Sequence, residues 1–158
     1  MPEPQLRKIL PAAACVGNPC FIRYIFASMT KTAVAILRKD GHILLCQRRK
    51  HSRYGLKWEF PGGKLEPGET PEQCARRELQ EELSVVVGAM RAPISYSYSY
   101  DDGGGFEVSF FIVLDYTGEP VNNVFEEIRW VTLEELRGMD ILEGNKEFVS
   151  TMNESIFQ

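Results

Sequence analysis

The sequence predicts an α+β domain in which helices cover a mixed β-sheet. Three observations carry this: two pairs of β-rich runs separated by turn signals, a well-capped helix lying between the pairs, and an amphipathic stretch near the C-terminus. The order is ββ, helix, several strands, then helix, with no internal repeat and no low-complexity linker. A chain of 158 residues with 44% hydrophobic and 25% charged side chains is long enough to build one core without disulfides or a structural metal.

Strand-like periodicity begins only after Met29. Residues 1–28 therefore read as an N-terminal extension, loosely attached or the product of a start codon assigned too early, and the domain proper spans 29–158. Arg7 and Lys8 ahead of ILPAAAC suggest a lipoprotein signal ending at Cys15. That reading fails because the apolar run is shorter than the ~7–15 residues of a signal h-region and Pro11 interrupts it. No run reaches transmembrane length, so no membrane association is expected.

TAVAILR (32–38) and HILLCQR (42–48) are β-rich and meet at Asp40-Gly41, a strong hairpin signal, so they are expected to pair antiparallel. Next comes a helix with a well-marked start: Thr70 suits the N-cap, Pro71 the first helical position, and Gln73 completes a capping box. SVVVGAM follows, and then ISYSYSY (94–100) and FEVSFFIVLDY (106–116), separated by DDGGG, form a second hairpin. In the first arm Tyr96, Tyr98 and Tyr100 share one face and serines the other, whereas the second arm is apolar on both faces and reads as more central. EIRWVTL (127–133) supplies another strand, running into a short helix over 133–137. Phe148, Met152 and Ile156, at i, i+4 and i+8, mark a terminal amphipathic helix.

Charge and cysteines bound the partners. A net charge of -4 argues against a polymeric nucleic acid, which needs many cations to displace counterions. The stretch Arg48, Arg49, Lys50, His51, Arg53 and Lys57 is nonetheless strongly basic, fitting either a solvated loop or a patch for a small polyanion. Cys15, Cys20, Cys46 and Cys74 have neither disulfide-scaffold density nor paired zinc spacing, which points to reduced, inert thiols in a cytoplasmic protein.

The chemistry concentrates on the helix after Thr70. At 3.6 residues per turn, Ala75, Leu79 and Val86 line one side with Leu83 at its edge, while Glu78, Glu81 and Glu82 converge on another. Like charges at i,i+4 destabilise a helix by roughly 0.2–0.5 kcal/mol. A hard divalent cation, Mg²⁺ or Mn²⁺, would offset the repulsion; so, in part, would Arg76 and Arg77 on a merely solvated acidic face.

Read in register, the segment runs Gly63, five residues, Glu69, seven residues, Arg77-Glu78-Leu79, one residue, Glu81-Glu82, one residue, Ser84-Val85. This resembles the signature of the Nudix hydrolases, departing only at Ser84, where the family has Gly. KWEFPGGKLEPGETPEQCARRELQEEL (57–83), the preceding hairpin, RWVTLEEL and the terminal helix are similar to the MutT-type branch, over about residues 30–157. The resemblance implies a Nudix-like fold, a mixed β-sheet sandwiched by helices, and hydrolysis of a nucleoside diphosphate linked to another group.

On that basis Glu78, Glu81, Glu82 and the Gly63 carbonyl match metal ligands for Mg²⁺, or Mn²⁺, and Arg77 matches the arginine that orients a box glutamate. Glu69 is placed to help position water. Arg48 matches a substrate-contacting arginine, and Lys64, with Arg49, is a candidate for phosphate oxygens. Many relatives carry an acidic residue six positions before the tryptophan of the WV segment; Val124 stands there, with Glu126 and Glu127 out of register before Trp130, so the general base is left open, a box glutamate being one candidate. Asn145 stands where relatives selective for oxidised guanine carry Asn and cytidine-preferring ones carry Asp; it also suits the N-cap of a helix running from Lys146. The expected enzyme is a monomeric or homodimeric nucleoside triphosphate pyrophosphohydrolase of nucleotide-pool sanitation, with 8-oxo-dGTP ranked first. A (d)CTP-type pyrophosphohydrolase and a nucleotide-sensing domain without turnover are the alternatives.

Overall fold

Asp40 and Gly41 turn the chain with φ of 50° and 76°, the left-handed conformations that a two-residue hairpin turn demands. The pairing beyond the turn is shorter than expected. Strand β1 (Thr30–Ile36) leaves the hairpin, and only β2 (Arg38–Lys39) pairs antiparallel with β3 (His42–Gln47), through Arg38 with Ile43 and Lys39 with His42. Side chains explain the departure: Ala33 through Leu37 are all buried. Such a run needs cover on both faces, which the middle of a sheet provides.

The structure, a computed structural model, describes residues 29–99, 104–153 and 155. The expected extension over 1–28 with Cys15 and Cys20, as well as Tyr100, most of the DDGGG turn and Ile156, lies outside the described residues. The chain continues through β4 (Trp58–Glu59), β5 (Gly62–Lys64), α1 (Pro71–Leu83) and β6 (Val86–Val87). Then follow β7 (Ile94–Ser99), β8 (Gly105–Ile112), β9 (Tyr116–Thr117), β10 (Glu127–Val131), α2 (Leu133–Gly138) and α3 (Glu143–Thr151). One sheet has the order β5-β1-β8-β7, with β1 and β8 parallel and the outer pairs antiparallel. A second sheet has the order β10-β3-β2, with β4 also on β3, and β6 and β9 form a short third pair. The second predicted hairpin is present as β7–β8. Tyr96 and Tyr98 are half-buried, the alternating Ser95, Ser97 and Ser99 exposed, and β8 lies inside the sheet.

Alternation along β1 sorts the core. Val34 and Ile36 join Phe60, Phe110, Leu136 and Phe148 on the side of α2 and α3. Ala35 and Leu37 join Leu44, Cys46, Leu79 and Leu83 on the side of α1. Helices thus cover the mixed sheets on both sides, as expected. Cys46 and Cys74 are free and buried, and burial raises both thiols, Cys74 to about 11, so neither offers a thiolate nucleophile.

The terminal helix starts earlier than the sequence suggests. Leu142, not Asn145, is the N-cap, and Asn145 lies inside the first turn. Trp58 N–H donates to Asp140 O (2.9 Å) and Leu142 N–H to Trp58 O (2.8 Å), so the approach to α3 is held as an extended segment beside β4. The capping reading of Asn145 is therefore withdrawn.

Candidate active site

Helix α1 begins where its caps place it. Thr70 Oγ1 accepts from Gln73 N–H (3.2 Å) and Gln73 Oε1 accepts from Thr70 N–H (2.8 Å), the reciprocal capping box. Cys74, Ala75, Leu79 and Leu83 form its buried face. Val86 does not: it is 58% exposed, and Val85 is buried instead. Ser84 ends the helix in the left-handed conformation (φ 58°, ψ 27°), and the helical period does not carry across that turn.

Arg77 is the hub of the opposite face. Its Nε donates to Glu69 Oε1 (2.9 Å) and its Nη2 to Glu69 Oε2 (3.0 Å), a two-pronged pair that ties the loop ahead of α1 to the helix. Its Nη1 donates to Glu78 Oε1 (2.9 Å) and to Glu81 Oε2 (3.3 Å), and Nη2 reaches Lys64 O (3.2 Å). One guanidinium therefore gathers three carboxylates. Arg77 and the Glu66 N–H hold the Glu69 carboxyl down to about 2.

The Gly62-Gly63 strand presses on this face. Gly62 N–H donates to Glu82 Oε2 (2.9 Å), and a Cβ at Gly63 would displace the Glu78 carboxylate from its present position. Gly63 O accepts a weak bond from Cys74 Sγ (3.5 Å). Burial first, and then the charges of Glu78, Glu59 and Glu81, push the Glu82 carboxyl up to about 8 against the pull of the Gly62 N–H.

Among the described residues no three Asp, Glu, His or Cys side chains are already closed into a metal cage. Arg77 stands between Glu78 and Glu81, and Glu82 is turned to a backbone amide. The donor set nevertheless fits a hard divalent cation: it is all oxygen, lies against a side-chain-free backbone, and holds a carboxyl that ionises reluctantly in its present charge environment.

The substrate-side candidates are dispersed around this cluster. Arg48 Nη1 donates to both oxygens of Glu59 (2.8 and 2.9 Å) and its Nε to Arg53 O (2.9 Å), leaving Nη2 without a bond among the described residues. Lys64 is exposed on β5. Arg49 Nε donates to Val124 O (2.6 Å), and Lys50 N–H reaches Glu126 Oε2 at 3.4 Å. Glu127 pairs with Arg129 (2.7 Å), so Glu126 and Glu127 both face the basic loop or β10. Asn145 is 4% exposed, and its Nδ2 has no partner among the described residues. Sequence reasoning passed over Glu59 and Asn123, whose partners are 11 and about 40 residues away; no local periodicity marks such pairs. A groove of about 520 Å³ beside Lys39 and Glu119 shares no residue with this constellation.

Comparison with known proteins agrees with this geometry. The NUDIX domain model matches residues 29–152. An 8-oxo-dGTP diphosphatase of Haemophilus influenzae is 36% identical over 104 residues, 64% of this chain and 74% of that protein. A CTP pyrophosphohydrolase of Escherichia coli is 47% identical over 57 residues, 36% of this chain and 42% of that protein. The solution structure of the E. coli ORF135 protein is similar with a TM-score of 0.68 and 28% identity, over 77% of this chain and 86% of that one.

Proposed function

Because the chain belongs to the Nudix family, we propose that it hydrolyses a nucleoside triphosphate to the monophosphate and pyrophosphate, with an oxidised purine nucleotide such as 8-oxo-dGTP as its substrate and Mg²⁺ or Mn²⁺ as its cofactor. The observation that carries this is the convergence of Glu69, Glu78 and Glu81 on Arg77, with Glu82 against Gly62. A face so rich in carboxylates and so short of cations is built to receive positive charge and, with it, phosphates.

Glu78, Glu81, Glu82 and the Gly63 carbonyl would hold the metal. A divalent cation there neutralises phosphate charge and acidifies a water for attack on phosphorus. The chain's own residues do the rest. Arg77 keeps Glu78 and Glu81 on one face and is itself steadied by Glu69. Arg48, anchored through Nε and Nη1, offers Nη2 to a phosphate oxygen, and Lys64 offers a second charge. A carboxylate of the box takes the proton of the attacking water, since Val124 supplies none.

Asn145 supports the choice of base. Its buried Nδ2 lacks a partner among the described residues, a costly arrangement that a ligand acceptor would relieve, and an amide offers the donor and acceptor that the mixed edge of 8-oxoguanine requires. A cytidine triphosphate is the second reading, favoured by the 47% identity to the CTP pyrophosphohydrolase. The test is a panel of triphosphates with Mg²⁺, ranked by kcat/KM, on the wild type and Asn145→Asp. Pyrophosphate release is expected, fastest from 8-oxo-dGTP, with Asn145→Asp shifting preference toward pyrimidines. Binding without release would mark a sensor, and an unchanged preference in the variant would remove the case for an oxidised purine.

A further inference from the structure

The last four carbonyls of an α-helix have no partner within it; in α1 they belong to Gln80, Glu81, Glu82 and Leu83. Gln80 O accepts from Ser84 N–H (3.1 Å). The other three are met by one distant loop. Val121 N–H donates to Leu83 O (2.8 Å), Asn123 N–H to Glu82 O (3.0 Å), and Asn123 Nδ2 to Glu81 O (2.9 Å). The same Nδ2 donates to Ser84 Oγ (2.9 Å). No basic side chain lies in the last turn of α1, so these N–H groups are the positive partners of its negative end.

The loop is itself well held. Asn122 and Phe125 exchange two bonds (2.8 and 3.1 Å), Arg49 Nε holds Val124 O, and Glu126 N–H donates to Gln47 O (2.9 Å). It is therefore a fixed support reaching from the β3 side of the molecule to the turn that bears Glu81 and Glu82. Arg77, a turn earlier, is secured by Glu69 and holds Glu78 at 2.9 Å, reaching Glu81 only at 3.3 Å.

We propose that Asn123 is a positioning residue for the reaction, setting the turn of α1 that aims Glu81 and Glu82. This rests on the reading that those carboxylates hold the metal. Loss of the Asn123 side chain leaves Glu81 O and Ser84 Oγ without their donor and frees the last turn to fray, displacing two glutamates while Glu78 stays.

The test measures Mn²⁺ affinity of the substrate-free protein by electron paramagnetic resonance, alongside kcat and KM. Asn123→Ala is expected to weaken Mn²⁺ binding by about 10-fold or more, the range typical of groups that orient metal ligands, and to lower kcat with KM nearly unchanged. Ser84→Ala, which removes only the serine contact, is expected to bind Mn²⁺ as the wild type does. Wild-type Mn²⁺ affinity in Asn123→Ala, or the same loss in Ser84→Ala, would overturn the proposal and reduce Asn123 to a helix cap. If Asn123→Ala does not fold, Asn123→Ser, which keeps a polar side chain too short to meet both Glu81 O and Ser84 Oγ, is measured with the same two outcomes. A wild-type protein that binds Mn²⁺ but hydrolyses no triphosphate would sink the proposed activity while leaving this comparison readable.

Discussion

Arg77 lets Glu78 and Glu81 share one face of α1 while tying that face to Glu69 in the loop ahead of it. It bonds Glu69, Glu78 and Glu81 at once, which outweighs like-charge terms of roughly 0.2–0.5 kcal/mol each. The Arg77–Glu81 contact is long (3.3 Å) and the Glu81 side chain 60% exposed, so it contributes little, and Glu82 accepts only a backbone N–H among the described residues; removing either charge relieves repulsion and should not harm the metal-free fold. Glu81→Gln and Glu82→Gln are expected to retain or raise the melting temperature yet lose orders of magnitude in kcat at saturating Mg²⁺. Near-normal turnover in either variant would show that the helix face does not carry the chemistry. Glu69 makes a separate prediction. Its carboxyl is lowered to about 2 by Arg77, so its stabilising effect is present above the ordinary carboxylate value of ~4 and is lost as pH falls from there through about 2. The melting-temperature gap between wild type and Glu69→Gln should be positive at neutral pH and close over that acid window; a gap independent of pH would mean the pair does not stabilise the fold. The acidic face was legible in the sequence because its spacing is local. The anchoring of Arg48 by Glu59, and of α1 by Asn123, was not, because each joins segments that only the fold brings together.

Helix ends show the same division at the next scale. The N-terminus of α1 could be read directly, since Thr70, Pro71 and Gln73 all act within four positions. The C-terminus could be read only in part: Ser84 in place of glycine announces a left-handed cap, but its bond to Asn123 depends on a loop far along the chain. Two opposed effects meet at Ser84. Glycine would adopt φ 58° without strain, while losing the hydroxyl would cost about 0.5–1.5 kcal/mol of hydrogen bonding. Ser84→Gly should accordingly fall near wild-type stability, and Ser84→Ala, which keeps the strain and loses the bond, should be the less stable of the two by thermal denaturation. Equal melting temperatures for the two variants would argue that backbone strain at this cap is negligible. Strands obeyed the same limit. Asp40-Gly41 marked the turn, but β1 followed its two-faced burial into another sheet, a choice that depends on β8, more than 60 residues away.

Across the whole molecule, the two halves of the proposed site are mounted on opposite sides of the sheets. The carboxylates ride on α1 and Asn145 rides on α3, so the chemistry and the base recognition proposed for them are separable by packing. Phe148 holds the second half: its ring stacks on Phe110 (4.3 Å, 12°) and meets Phe60 and Tyr96 edge-on at 5.9 and 6.3 Å. Truncating a buried Phe costs ~3–5 kcal/mol, within the ~5–15 kcal/mol of a domain, so Phe148→Ala should remain folded at low temperature with a loosened α3. Its core on the α1 side, built from Leu44, Leu79, Leu83 and Val85, does not include Phe148. The expected outcome, measured below the variant's melting transition, is a loss of discrimination among triphosphates through higher KM for the favoured base, with kcat at saturating substrate and metal little changed. If instead kcat collapsed with discrimination intact, α3 would be supporting the metal face through the sheets, and base recognition would have to reside elsewhere than at Asn145.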